Sequence, residues 1–210
     1  MTSASAWESE RVIIGRMFMT QGAPELVGDD DDASLGRRAE REPAAFEAIY
    51  RRHYRTVAAY LYRRCGDVDV AEELAADVFV AAFGSIARMN RKGVAPRYWL
   101  LGIAAHTASK SAREKRRRAR RERVHTEARD GQVDPARGSP LWTDEQRRVH
   151  DAVDGLPEVF GVVVSLYYFA GLSVEEITAS IGTAAGTVKS RLARGREMVR
   201  EKLENRGGES

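Results

Sequence analysis

The 210-residue sequence has few of the residues that build disulfide, metal-bound or membrane-embedded proteins. Its one cysteine, Cys65, excludes an internal disulfide framework and a multi-cysteine zinc site. The four histidines form no metal-ligand spacing with one another or with Cys65, so we expect neither a metal nor another cofactor. No nucleophile–base arrangement is visible, which argues against an enzyme. No apolar run approaches the roughly 20 residues of a membrane span, and a signal-peptide pattern is lacking. We therefore expect a cytoplasmic protein without membrane insertion.

Charge is abundant but unevenly distributed along the chain. The net charge is +3, yet residues 1–36 contain seven acidic side chains against two arginines, so the remainder carries +8. Residues 110–123 alone contain nine lysines and arginines against two glutamates. Such a dense basic block is either a solvated tail or a surface that contacts phosphates, and the second is favoured when a DNA-binding element accompanies it.

Such an element is predicted near the C-terminus. Ser173 and Glu176 have the spacing of a capping box, which begins a helix by satisfying free backbone donors. Gly182 is suited to the left-handed conformation that ends this short helix. A second helix then follows, with Val188 and Leu192 facing inward and a basic, polar outer face. Two short helices around a glycine turn predict a helix-turn-helix whose second helix fits a major groove.

The organisation predicted from composition is all-α, with two small helical domains joined by a flexible linker. We expect residues 1–36 to form an acidic, disordered leader, because they are acidic and poor in periodicity. Helical patterns occupy residues 37–121, and glycine and proline among polar residues mark a linker at residues 122–141. Residues 142–205 contain the helix-turn-helix domain.

The helix predicted from about Val68 to Ala87 has an acidic face opposite an apolar face, on which Leu74, Val78 and Phe83 are predicted to face inward. No lysine or arginine occurs between Arg64 and Arg88. This face is either solvated or a docking surface for a basic protein, and the pattern alone does not decide between them. Its acidic side chains are Asp69, Glu72, Glu73 and Asp77.

A third helix is predicted from Pro96 onward, with Trp99 on its packed side. A basic stripe recurs on another face at helical spacing and continues into the arginine-rich block. Such a stripe repels itself unless a polyanion is present, so we expect salt-dependent contact with a nucleic-acid backbone. The stripe consists of His106, Lys110, Arg113 and Arg117.

These motifs together resemble the extracytoplasmic-function (ECF) group of bacterial sigma factors. Residues 71–83 resemble the polymerase-docking helix of sigma region 2, and residues 99–108 with the arginine block resemble the promoter-melting helix that follows it. Residues 156–158, 171–177 and 186–192 are similar to sigma region 4. The resemblance implies a factor that binds core RNA polymerase and directs promoter-specific initiation, and it implies an anti-sigma factor as a further partner.

The resemblance also assigns roles to residues. The acidic residues Asp69, Glu72, Glu73 and Asp77 would bind core polymerase. The −10 element of promoter DNA would contact Asn90, Arg91, Lys92, His106, Lys110, Arg113 and Arg117. The −35 element would contact Thr187, Lys189, Ser190, Arg191, Ala193 and Arg194. Because the family usually has asparagine at the position of His106, an unusual −10 preference is expected. The alternative is a stand-alone helix-turn-helix regulator, which would not explain the motifs in residues 68–121.

Overall fold

The computed structural model describes residues 29–126 and 142–207, with side chains described for residues 32–121 and 142–204, and within these ranges it contains helices and no strand. The all-α prediction is confirmed. No helix in the described ranges is both long and apolar enough to cross a membrane. The helices are α1 (Asp29–Arg38), α2 (Pro43–Cys65), α3 (Val68–Phe83), α4 (Ile86–Lys92), α5 (Pro96–Thr126), α6 (Asp144–Asp154), α7 (Glu158–Tyr168), α8 (Val174–Ile181) and α9 (Ala185–Gly207).

Helices α1 to α5 form an N-terminal lobe. Pro43 begins α2, where the missing N–H of proline removes no hydrogen bond of the helix. The Asp67 carboxylate caps α3 by accepting from the Val70 N–H at 3.0 Å. The single helix predicted from Val68 to Ala87 is two helices, because α3 ends at Phe83 and α4 begins at Ile86. Phe83 was predicted to face inward but is 58% exposed.

Helix α1 lies inside the stretch predicted as leader. Its Asp32 is 2% exposed and binds two groups of α2, with Oδ1 2.6 Å from Arg52 Nη1 and Oδ2 2.9 Å from His53 Nε2. Leu35 and Ala39 are buried beside it. Tertiary contacts thus supply the stability that the acidic local sequence does not predict, and residues 29–38 are part of the N-terminal lobe. Residues 1–28 of the predicted leader lie outside the described ranges.

Helices α6 to α9 form a C-terminal lobe that contains the predicted helix-turn-helix. The capping box is present, since Ser173 Oγ accepts from the Glu176 N–H at 3.2 Å and Glu176 Oε2 accepts from the Ser173 N–H at 2.7 Å. Gly182 ends α8 with φ at +65°, a conformation that favours glycine. Val188 and Leu192 are buried as predicted.

The two lobes share one continuous hydrophobic core, which the sequence analysis did not predict. Helix α5 packs against α2 and α3 on one side and against α7 and α8 on the other. Gly102 permits this approach, because a Cβ atom there would lie 2.5 Å from the Ser180 carbonyl oxygen of α8. Residues 122–126 of the predicted linker continue α5. Residues 127–141 lie outside the described ranges.

Candidate functional site

The acidic residues of α3 occupy one exposed face. Within the described ranges, none of the four carboxylates predicted to bind polymerase is paired with a cation. The opposite face of α3 is buried against the lobe through Leu74 and Val78. Two apolar side chains extend the exposed face toward the helix end, namely Val80, which is 74% exposed, and Phe83. The surface therefore combines free negative charge with exposed apolar area, as a docking surface does. Its residues are Asp69, Glu72, Glu73, Asp77, Val80 and Phe83.

The predicted basic stripe lies on α5, and its four residues are exposed. Two of them are engaged by the C-terminal lobe, because Glu158 of α7 contacts both. Glu158 Oε2 accepts from Arg113 Nη1 at 2.5 Å, and Glu158 Oε1 lies 3.3 Å from His106 Nδ1. The hydrogen bond from Arg113 lowers the pKa of the Glu158 carboxyl, and the hydrogen bond from His106 lowers it to a smaller extent. Lys110 Nζ lies 4.0 Å from Glu114 Oε1 of the same helix.

The remaining residues predicted to contact the −10 element lie on the short helix α4. Arg91 and Lys92 are exposed, whereas the Asn90 amide donates to Glu40 Oε2 at 3.1 Å. Met89 is buried below them at 2% exposure. Helix α4 therefore presents exposed cations shortly before α5 begins in the chain.

Helix α9 presents the residues predicted to contact the −35 element. Arg191 is half-buried, and the other five are exposed. Lys189 has no ion-pair partner among the described residues, whereas Arg194 pairs with Glu197 one turn later. Ser190 Oγ donates to the Thr187 carbonyl at 3.0 Å, so this hydroxyl is held by its own helix. The outer face of α9 therefore offers an unpaired Lys189 amine beside exposed polar groups.

One feature of this lobe was not predicted. The Arg196 guanidinium lies 5.0 Å from the ring centre of Tyr167 and 5.8 Å from that of Tyr168. These cation–π contacts orient Arg196 at the edge of the helix-turn-helix. Sequence patterns could not reveal them, because the tyrosines are on α7 and the arginine is on α9.

Comparison with known families assigns both lobes. Residues 49–118 match the family model for sigma-70 region 2, and residues 146–199 match that for sigma-70 region 4. The chain is also 29% identical over 171 residues to "ECF RNA polymerase sigma factor SigK" of Mycobacterium sp. (strain KMS), an alignment that spans 81% of this chain and 89% of the relative. The chain belongs to the ECF group of sigma factors. The "ECF RNA polymerase sigma-E factor" of Haemophilus influenzae is 28% identical over 183 residues, covering 83% and 95% of the two chains.

The fold agrees with this assignment. CnrH, solved in complex with the cytosolic domain of CnrY, superposes with a TM-score of 0.52 and 22% identity over 83% of this chain and 97% of that chain. As a sigma factor, the protein binds core RNA polymerase and promoter DNA and directs transcription initiation. The region 2 match disfavours the stand-alone regulator, because such a regulator has no need of a polymerase-binding domain.

Proposed function

We propose that this sigma factor binds polymerase, the −10 element and the −35 element through three separate surfaces. The acidic face of α3 docks on core polymerase, α4 and the basic stripe of α5 capture the opened −10 element, and the outer face of α9 reads the −35 element. The protein acts in the cytoplasm, without a catalytic activity of its own. The main support for the proposal is the acidic face of α3. Its four exposed, unpaired carboxylates lie on the same chain as a helix-turn-helix.

The polymerase-docking assignment rests on the composition of that face. The carboxylates supply electrostatic attraction to a basic partner, and burial of Val80 and Phe83 would contribute about 25 cal/mol for each Å² of apolar surface removed from water. Asp69 in the first turn of α3 also lies at the end of the helix that favours negative charge. A face that combines negative charge with exposed apolar side chains is suited to a basic surface with an apolar centre.

The −10 assignment rests on the cations of α4 and α5. Capture of single strands generally combines a cationic groove with stacking or snug contacts, and extrusion of a base costs a few kcal/mol of stacking. Arg91, Lys92, Lys110 and Arg117 provide exposed charge along this route. The side chains that could form hydrogen bonds to a base edge beside these cations are Asn90, His106 and Arg113.

The −35 assignment rests on α9, where Lys189 is exposed and unpaired among the described residues. A cation at a base edge discriminates guanine, and a good bidentate contact contributes about 1–3 kcal/mol. Arg194 is a second candidate for a guanine edge, and Arg191 would contact phosphate beside it, which would position the helix without reading sequence. Thr187, Ser190 and Ala193 complete the face.

We further propose an anti-sigma factor as a partner. The relatives are sigma factors of the ECF group, and CnrH was solved in complex with the cytosolic domain of another protein. Such a partner would act by covering the polymerase-docking and DNA-binding faces.

Run-off transcription from a promoter library, with core polymerase and with or without the protein, tests the proposed function. We expect promoter-specific transcripts that disappear in the double variant Glu73→Lys with Asp77→Lys, together with loss of core binding. Glu47→Lys is the matched control, because Glu47 is an exposed acid of α2 in the same lobe. Equal core binding by the double variant and the wild type would refute the docking assignment.

A further inference from the structure

Helix α1 lies between α2 and the part of the N-terminal lobe that carries the proposed −10 contacts. Its buried Asp32 binds Arg52 and His53 of α2 on one side. On another side α1 packs against α4 and the start of α5. Gly36 permits this approach, because a Cβ atom there would lie 2.6 Å from Met89 Cε of α4. The position of α4 is therefore set partly by a helix that carries none of the predicted DNA contacts.

The turn after α1 places Glu40 beside α4. The Ala39 N–H donates to the Leu35 carbonyl at 2.8 Å, and the Glu42 N–H donates to the Arg38 carbonyl at 2.9 Å. Ala39, the residue before Glu40, is 5% exposed. Glu40 thus follows a buried residue inside a hydrogen-bonded turn, so the backbone that carries its carboxylate is fixed.

The end of α4 fixes Asn90 in a similar way. The Gly93 N–H donates to the Asn90 carbonyl at 3.1 Å, and Gly93 ends the helix. Met89, the residue before Asn90, is 2% exposed. The backbones of Glu40 and Asn90 are therefore both held by packing and local hydrogen bonds, and their side chains meet at a defined distance.

The hydrogen bond between these two residues determines how the Asn90 amide is oriented. Asn90 Nδ2 donates to Glu40 Oε2 at 3.1 Å. A carboxylate only accepts hydrogen bonds, so the nitrogen of the amide, and not its oxygen, must face Glu40. The oxygen lies toward α1, since a Cβ atom on Gly36 would be 3.5 Å from Asn90 Oδ1. The second N–H of the amide is then the group that Asn90 presents to a base.

We propose that Glu40 is a positioning residue for −10 recognition, which orients Asn90 as a hydrogen-bond donor toward the captured base. An asparagine amide can otherwise offer either its oxygen or its nitrogen, and the two choices favour different base edges. With Glu40 in place the donor is presented, and bases are discriminated by where they carry an acceptor. This inference rests on the −10 assignment of Asn90 proposed above.

The charge of Glu40 distinguishes a positioning role from direct DNA binding. Glu40 is exposed, and the residue that it contacts is followed in the chain by the exposed cations Arg91 and Lys92. A carboxylate at this place repels phosphate, so removal of its charge should raise the affinity for any −10 sequence. Loss of a DNA contact, or damage to the fold, would lower that affinity instead.

Glu40→Gln is the test variant. Glutamine preserves the shape but can donate as well as accept, so either orientation of the Asn90 amide can be satisfied. Glu42→Gln is the matched control, because Glu42 is an exposed acid of the same turn whose Oε2 accepts from Arg38 Nη2 at 2.7 Å. Asn90→Ala removes the side chain through which Glu40 would act.

The experiment uses holoenzyme formed from the full chain and core polymerase. Promoter DNA randomised across the −10 element is incubated with the holoenzyme, and the bound fraction is sequenced. We expect Glu40→Gln to reduce the preference for the favoured base at one position by about threefold to tenfold, the range for one hydrogen bond. Its affinity for the whole pool should rise. Glu42→Gln should leave every preference unchanged, and Glu40→Gln should change no preference further in the Asn90→Ala background.

Three results would overturn the inference, and each identifies a different error. Wild-type preferences in Asn90→Ala would show that Asn90 contacts no base, so the −10 assignment of this residue is wrong. If Asn90→Ala alters a preference and Glu40→Gln alters none, that assignment stands and Glu40 does not orient the amide. If Glu40→Gln has the same effect with and without the Asn90 side chain, Glu40 acts through another group.

Discussion

Replacement of Asp154 by asparagine tests whether the buried pair between the lobes stabilises the folded protein. Arg64 of α2 is 2% exposed, and its guanidinium pairs with the Asp154 carboxylate of α6, whose side chain is 21% exposed. Asparagine preserves the shape but removes the charge, which leaves a buried arginine without its counter-ion. The variant should therefore be less stable even though it removes no apolar contact.

The magnitude follows from the burial of the two groups. Removing one partner of a buried ion pair typically costs about 3–5 kcal/mol, and we expect the lower end because Asp154 is partly exposed. Urea unfolding followed by circular dichroism would measure the loss. The dependence on urea should also become less steep, if the lobes separate in the variant and expose surface before unfolding. Asp144→Asn is the matched control, because Asp144 belongs to the same helix but pairs with Arg147 at the exposed end.

The stability that Asp154→Asn loses should depend on pH. Burial acts to raise the pKa of the Asp154 carboxyl, but the Arg64 guanidinium and His150 outweigh burial and hold that pKa below its ordinary value. A carboxyl with a lowered folded pKa contributes stability above its unfolded pKa of about 3.9 and loses it as the pH falls through the folded value. The difference between wild type and Asp154→Asn should thus be constant near neutrality and shrink below about pH 4. Equal losses for Asp154→Asn and Asp144→Asn at pH 7 would refute the reasoning.

Four further predictions concern other parts of the molecule. Burial raises the pKa of the Tyr60 hydroxyl to about 12, so an ultraviolet titration should show one tyrosine ionising last, with stability lost as the pH rises from about 10 through about 12. Ser173→Ala removes the cap of α8 and should lower the free energy of unfolding by about 1 kcal/mol in urea titrations. Lys189→Ala should reduce discrimination among −35 sequences, whereas Arg191→Ala should weaken binding to all of them equally, as measured on a duplex panel. His106→Asn should change the −10 sequences selected from a promoter library, and an unchanged selection would remove His106 from the −10 site.

Local signals in the sequence were sufficient to predict several helix ends. Pro96, the Ser173–Glu176 capping box and Gly182 act through neighbouring residues, and each lies where the pattern predicts a helix to begin or end. The all-α class was predicted for the same reason, whereas the two sigma regions were predicted from the resemblance of several motifs to a known family. The residues predicted to bind polymerase and the −35 element are located on the expected helices. Asn90, Arg91 and Lys92 lie beyond the helix that was predicted to end near Ala87, and the structure has them on the short helix α4. The roles of all these residues stay predictions.

Contacts between distant segments could not be predicted from the same signals. Periodicity identifies the apolar face of a helix but not its partner, so the pairing of Glu158 with Arg113, 45 residues away, left no trace in the sequence. Phe83 follows apolar spacing and yet is 58% exposed, because only one edge of its ring is covered, by Phe46 of α2 at 5.1 Å between ring centres. The acidic run at the start of α1 did not indicate a helix by its composition, because Asp32 is stabilised by Arg52 and His53 of another helix.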